Sequence, residues 1–228
     1  MDIGRAFKFM FDDESWITKI LLGGILGLVP ILNFVLYGYQ LEVVKNVAQG
    51  QDLPLPEWGE DFGGKFVKGL MVVIASFIYS LPLLVLWVIY FVAMLAMGGT
   101  ASGSSSDQMS GAAGGMLAIC SIVFYCIFFL YSVVVYGFVL VPGMMRYAVE
   151  EEFGAFFKFG ENLRVATSNL GSYIVMLLVL ILAALVAEIV GLIACGIGIL
   201  FTMFWYVMVS GHLFGQFWRQ HQTSEASY

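Results

Sequence analysis

Three stretches of this chain run for more than 20 residues with almost no charge, and they decide its class. Residues 69–97 and 116–141 carry no Lys, Arg, Asp or Glu, and 172–194 carry only Glu188. A helix needs about 20 apolar residues to cross a bilayer. Backbone in hydrocarbon must satisfy its own hydrogen bonds, which leaves helices or closed barrels. Barrel strands alternate apolar and polar residues; these stretches are Leu-, Val-, Ile- and Phe-rich without sustained alternation. The chain as a whole is 61% hydrophobic and 11% charged, against about 45–50% and about 25% in soluble domains. The expected class is therefore an all-α integral membrane protein forming one membrane domain over 1–228.

The order of apolar runs predicts six membrane helices in three hairpins. Trp16 to Val29 ends at Pro30-Ile31-Leu32-Asn33, and a second run continues to Val47. The run 69–97 contains Pro82 and leads into 98–115, a Gly-, Ser- and Ala-rich stretch read as a flexible outside loop. The run 116–141 ends at Pro142-Gly143. The last two, 172–194 and 199–217, flank Cys195-Gly196-Ile197-Gly198, and 220–228 is a tail. The ten basic residues are Arg5, Lys8, Lys19, Lys45, Lys65, Lys68, Arg146, Lys158, Arg164 and Arg219. Three hairpins put all of them on one side, so the positive-inside rule places both termini in the cytoplasm. The first arm, about 14 residues long, also has the length of a re-entrant segment. Met1-Asp2-Ile3-Gly4-Arg5 shows no basic region or cleavage site of a signal peptide, so the first apolar segment is expected to be retained.

A pattern of acid, apolar residue, Gly, two variable residues and Phe occurs three times. It starts at Asp2, Asp61 and Glu152, each time just before a predicted hairpin. This suggests quasi-repeat units over 2–50, 61–147 and 152–219, each opening with a short amphipathic interfacial helix. Ile3/Phe7, Phe62/Phe66 and Phe153/Phe157 then share a helical face that dips into the acyl boundary.

Gly23-Gly24, Pro30-Ile31-Leu32-Asn33, Gly38-Tyr39 and Leu53-Pro54-Leu55-Pro56-Glu57-Trp58 together resemble a known family. It is the group of uncharacterised prokaryotic membrane proteins called domain of unknown function 4013. Phe62-Gly63-Gly64-Lys65-Phe66-Val67-Lys68-Gly69 and Phe153-Gly154-Ala155-Phe156-Phe157-Lys158-Phe159 add to the likeness. The resemblance implies a prokaryotic multi-pass membrane protein and carries no activity and no catalytic residues.

Few residues stand where chemistry is expected. Glu188 lies in Leu185-Val186-Ala187-Glu188-Ile189-Val190, where an acid costs roughly 2.5–3.5 kcal/mol on insertion scales. Such groups usually face a bundle interior with a partner, and Asn33 at the tip of the first hairpin is the candidate partner. Glu42 has Lys45 three residues on, at a spacing where the two can meet. Ser210, His212 and Gln216 lie near the inner end of the last helix. Gly23/Gly27 and Gly211/Gly215 are spaced for close helix packing. Pro54 and Pro56 stiffen an extended loop; with Trp58 they form a candidate interfacial or partner-docking strip. Glu150-Glu151-Glu152 reads as a solvated acidic turn. Cys120, Cys126 and Cys195 sit in apolar runs as small hydrophobes.

No metalloprotease, nucleophile-elbow, P-loop or dinucleotide-binding motif is present, nor is a basic nucleic-acid patch. No enzyme activity, cofactor or metal is therefore expected. Two function classes fit. One is a membrane-organising or accessory complex subunit whose partners are lipids, other membrane proteins or further copies of itself. The other is a small proton- or ion-coupled transporter or channel using Glu188.

Overall fold

The computed structural model describes residues 1–103, 107–194 and 196–225, and side chains at all of these but 97–113, 224 and 225. The described residues form helices joined by turns and loops, with no strand. Nine α-helices follow in order: α1 Ile3–Lys8, α2 Trp16–Leu28, α3 Phe34–Ala48, α4 Phe62–Gly103, α5 Asp107–Ser132, α6 Val141–Glu150, α7 Phe159–Ser168, α8 Leu170–Ile193 and α9 Gly198–Glu225. A π-helical stretch, Val133–Leu140, joins α5 to α6.

Four helices among the described residues are long and apolar enough to cross a membrane, not six. They are Phe62–Ala96, Gly114–Glu150, Leu170–Ile193 and Gly198–Thr223. The expected first hairpin supplies neither of its spans. α2 has 13 residues and α3 has 15, so at 1.5 Å per residue they reach about 20 and 22 Å against a core of about 30 Å. Pro30 cannot donate to a helical carbonyl, and the break around it keeps the two arms from merging into one long helix. The expected loop at 98–115 is also corrected. α4 runs through Gly103 and α5 starts at Asp107, with 104–106 outside the described residues. The expected tail is helical as far as Glu225.

The chain divides into two compact units. The first comprises Met1–Ala75 and Phe138–Tyr228, the second Ser76–Gly137. In the first unit α9 is the central element: α2, α3 and α8 pack on it. Glycines set these approaches. A Cβ on Gly23 would lie 2.4 Å from the Phe204 ring, and one on Gly215 would lie 2.6 Å from Val47 Cβ. Gly211 likewise faces the Gln40 carbonyl, so the Gly211/Gly215 pair is the seat of α3. α8 buries Tyr173, Met176, Leu180, Ala183, Ala187 and Gly191, one face at helical spacing. Its end meets the start of α9 where a Cβ on Gly191 would sit 2.6 Å from Ile199 Cα.

The three segments of the sequence pattern take three local forms. Asp2 caps α1, its carboxylate accepting from the Arg5 N–H at 2.9 Å. Asp61 accepts from the Gly64 N–H at 3.0 Å at the start of α4, which continues directly into its span. Phe153–Phe157 is a 3-10 turn. The pattern itself forms a separate short α-helix only at the first; before α8 the short helix is α7, which follows the pattern instead of containing it.

In the second unit α4 and α5 pair antiparallel. The Tyr131 hydroxyl donates to the Tyr79 carbonyl at 2.8 Å, Tyr90 and Ser121 hydroxyls meet at 2.9 Å, and the Tyr90 and Phe124 rings stack at 4.1 Å. Most other side chains of this unit, among them Leu84, Trp87, Ile89, Ile122 and Phe129, are exposed. Cys120 is half-buried and Cys126 exposed; Cys195 lies outside the described residues. Apolar residues exposed around spanning helices are what lipid as solvent calls for.

Candidate functional site

The polar groups of the first unit concentrate where the Gly50–Asp61 loop crosses the helix ends. Two lysines are buried there. Lys19, 2% exposed, projects from an otherwise apolar α2 and meets Asp13 and Glu57 carboxylates at 2.6 Å each. Lys65, 1% exposed, is held by the Glu42 carboxylate at 3.1 Å and donates to the Glu57 and Glu60 carbonyls. A buried ammonium needs this number of acceptors, because desolvation otherwise exceeds the Coulombic gain. Burial raises the Asp13 carboxyl, but hydrogen bonds from Lys19 and Ser15 outweigh it and hold the group below its ordinary value.

Trp58 closes this layer. Its indole N–H donates to the Lys19 carbonyl at 3.1 Å, and its ring lies 4.5 Å from Tyr39 and 5.5 Å from Phe204. Pro54 and Leu55 are buried with it, and Pro56 is half-buried. Asn46 fixes the strip by donating to the Pro54 carbonyl at 3.0 Å. The Pro-Trp loop thus has its anchoring side chains turned into the first unit, and Leu53 and Glu57 outward. The Tyr39 hydroxyl, beneath Trp58, is buried with no hydrogen-bond partner. Burial first, then the carboxylates of Asp13, Glu57 and Glu42, push its phenol well above the ordinary range.

Glu42 pairs with Lys65 and, at 3.9 Å, with Lys68, rather than with Lys45. Lys45 instead reaches Glu151 at 2.7 Å, where Lys68 joins it at 3.0 Å. The acidic turn is consequently a junction of α3, α4 and α6. Glu150 adds contacts to Arg146 and Lys158 at 3.0 Å. Hydrogen bonds from Lys45, then from Lys68, hold the Glu151 carboxyl below its ordinary value. A depressed folded value means that the contribution is present above the unfolded pKa and is lost as pH falls through the folded one. These pairs are a quarter to a half exposed, so the expected effect is small, under about 1 kcal/mol. Glu151→Gln should lower stability at neutral pH by that amount and flatten part of the acid limb of a melting-temperature profile. An unchanged profile would show that the junction contributes nothing.

Glu188 and Asn33 are not brought together. Glu188 is exposed on α8, next to Ala187 of the buried face and among exposed Leu185, Val186, Ile189 and Leu192. It makes no hydrogen bond or ion pair among the described residues. Asn33 stands at the N-cap of α3 without capping it, and its Oδ1 is buried without a partner. The periodicity of α8 explains the placement: its small residues Ala183, Ala187 and Gly191 face inward to the helix contact, and position 188 falls beside that stripe.

His212 was visible in the sequence only as a lone histidine. Its ring lies tilted against Phe9 with centroids 4.3 Å apart, and its Nδ1 meets Gln216 Nε2 at 3.0 Å. Gln216 also exchanges two hydrogen bonds with the Asp2 backbone. On the far side of α9, Arg146 lies over the Trp218 ring at 5.7 Å and pairs with Glu161 at 2.6 Å. Among the described residues no group of three or more His, Cys, Asp or Glu side chains is placed to hold a metal ion.

No curated protein and no solved structure matches the chain. A family model described as protein of unknown function (DUF4013) matches residues 22–196, which take in Lys65 with Glu42, the Pro-Trp strip and Glu188 but leave out Lys19, Asp13, His212 and Gln216. That match covers more than half of the chain, which therefore belongs to the DUF4013 family.

Proposed function

We propose that this chain is a non-enzymatic subunit that organises or completes a membrane complex in the prokaryotic plasma membrane. The observation that carries the reading is Glu188. An acid exposed on an apolar spanning helix has no counter-group among the described residues, and the same side chain is costly to leave facing lipid. A neighbouring membrane helix that offers a hydrogen-bond donor removes that cost.

The four spans retain the charge asymmetry. The connections 97–113 and 194–197 carry no Lys or Arg, and all ten basic residues fall at the other ends or before the first span. By the positive-inside rule this supports a reading with both termini on the cytoplasmic side. Lys19 of α2 and Lys45 of α3 both reach the polar layer, so the short arms enter from that side and return to it, with Pro30–Asn33 as the deep tip.

Extraction into native lipid discs, followed by mass spectrometry of co-purifying proteins, tests the reading. A stoichiometric membrane partner or a homo-oligomer is expected. Glu188→Leu should lose it, while Glu188→Gln, which still hydrogen-bonds, should largely keep it. A wild-type chain that purifies alone, or a Glu188→Leu chain with its partner intact, would reject the proposal.

A further inference from the structure

A second feature of the polar layer is a cavity of about 310 Å³ lined by Arg5, Val47, Gly50, Asp52, His212 and Arg219, with Gln51, Pro54 and Gln216 at its edge. Its construction depends on Gln216. The Asp2 N–H donates to Gln216 Oε1 at 2.7 Å, and Gln216 Nε2 donates to the Asp2 carbonyl at 2.9 Å. This fixes which end of the amide is oxygen. The same Nε2 meets His212 Nδ1 at 3.0 Å. An amide nitrogen is a donor only, so Nδ1 accepts, and the ring carries its proton on Nε2. The clamp pins α1 against α9 and brings Arg5 to the cavity that Arg219 lines from α9. Gly50, with φ of +79°, passes close beneath Arg219: a Cβ there would lie 3.2 Å from its Nη1.

Neither arginine is neutralised by a described side chain. Among the described residues no carboxylate lies within ion-pair distance of Arg5 or Arg219. Among the described residues the one acceptor of the Arg5 guanidinium is the Asp52 backbone carbonyl, at 3.5 Å, the long limit of a hydrogen bond. Asp2, the nearest acid to Arg5 in sequence, spends its carboxylate on the helix cap. Of the lining residues only Asp52 carries a carboxylate, against two guanidinium groups. Elsewhere in the polar layer the buried lysines and Arg146 each have carboxylate partners, whereas these two arginines line one cavity without one.

We propose that this cavity binds a phosphate group, presented by an anionic lipid headgroup or free in solution. The guanidinium fork matches phosphate oxygens with two parallel N–H donors, and the histidine adds a neutral donor to the lining. Arg219 follows the last apolar turn of α9, Phe217-Trp218, which sets it at the level where headgroups lie. The site stands independently of whether the chain joins a complex.

The full chain in detergent, examined by native mass spectrometry against phosphatidylglycerol, phosphatidylcholine and inorganic phosphate, tests it. Retention of phosphatidylglycerol over phosphatidylcholine is expected, weakened about tenfold by Arg219→Gln and further by Arg5→Gln/Arg219→Gln. Arg219→Lys should recover part of the affinity, because a point charge keeps attraction but loses the fork. Binding of inorganic phosphate with the same arginine dependence, and no preference between the lipids, assigns the site to a free phosphate. Should the double variant fail to fold, Arg219→Gln alone decides, since that exposed side chain has no partner among the described residues whose loss would unfold it. Anion binding indifferent to both arginines, or no anion binding by the wild type, overturns the proposal.

Discussion

Gly38→Ala is expected to destabilise the first unit by about 3 kcal/mol or more, toward the upper end of overpacking costs. A Cβ at position 38 would stand 1.8 Å from the Lys65 carbonyl oxygen and 2.5 Å from its carbon. The neighbour is backbone, so no rotamer change can relieve the contact; α3 must move off α4. The contact is reciprocal. A Cβ on Gly69 would lie 1.7 Å from the Phe34 carbonyl oxygen, so Gly69→Ala should cost as much. The consequences reach the polar layer, because the same crossing sets Glu42 against Lys65. Gly63→Ala is the control. It lies in the first turn of α4 with nothing within 4 Å of its Cβ, and helix propensity favours alanine there by up to about 1 kcal/mol. Equilibrium unfolding in mixed micelles should separate the three variants. A Gly38→Ala protein as stable as Gly63→Ala would mean that α3 and α4 do not cross backbone to backbone.

The same glycine illustrates how much the sequence disclosed. Gly38-Tyr39 and Leu-Pro-x-Pro-Glu-Trp carried the family likeness, but as unconnected motifs. In the fold they are one assembly: Gly38 seats α3 on α4, and Tyr39 supports Trp58. Nothing local links them, since the contact is made by helix crossing rather than by spacing. The spans around 69–97, 116–141 and 172–217 were legible because crossing a bilayer is set by length and apolarity alone. α2 and α3 were not, because apolar arms of 13 and 15 residues suit a membrane span less well than a protein surface, and here they pack on α9.

Charge burial was hidden for a related reason. Lys19 interrupts an apolar run, and in the sequence it counts only as one of ten basic residues on one side of the membrane. Its carboxylate partner Glu57 comes from the distant loop, and no periodicity reports such a pairing. The orientation of Glu188 was partly available: small residues mark helix contacts, and Ala183, Ala187 and Gly191 trace the inward face of α8. Position 188 lies beside that trace. Hydrophobicity alone could not choose a face, because the lipid-facing side of α8 is as apolar as its packed side.

Trp58→Ala is expected to cost about 3–5 kcal/mol, the range for emptying a buried aromatic site. Trp58 fills the space between Tyr39 and Phe204 and donates its indole N–H to the Lys19 carbonyl. Its removal frees the strip that brings Glu57 to Lys19 and the Glu57 and Glu60 carbonyls to Lys65. Two buried cations then lose acceptors, which adds to the cavity term. Trp58→Phe keeps ring packing and drops the donor, so a loss of about 1–2 kcal/mol is expected. Tyr39→Phe should be neutral or mildly stabilising, because the hydroxyl it removes is buried without a partner among the described residues. Unfolding free energies of the three variants give the order Trp58→Ala, Trp58→Phe, Tyr39→Phe from most to least damaging. The opposite pattern, with Trp58→Ala as stable as wild type but stripped of a co-purifying partner, would make the loop a docking strip instead of a structural strap. The inward placement of Pro54, Leu55 and Trp58 favours the strap, because a side chain that already fills the interior of its own chain has little surface left to offer another.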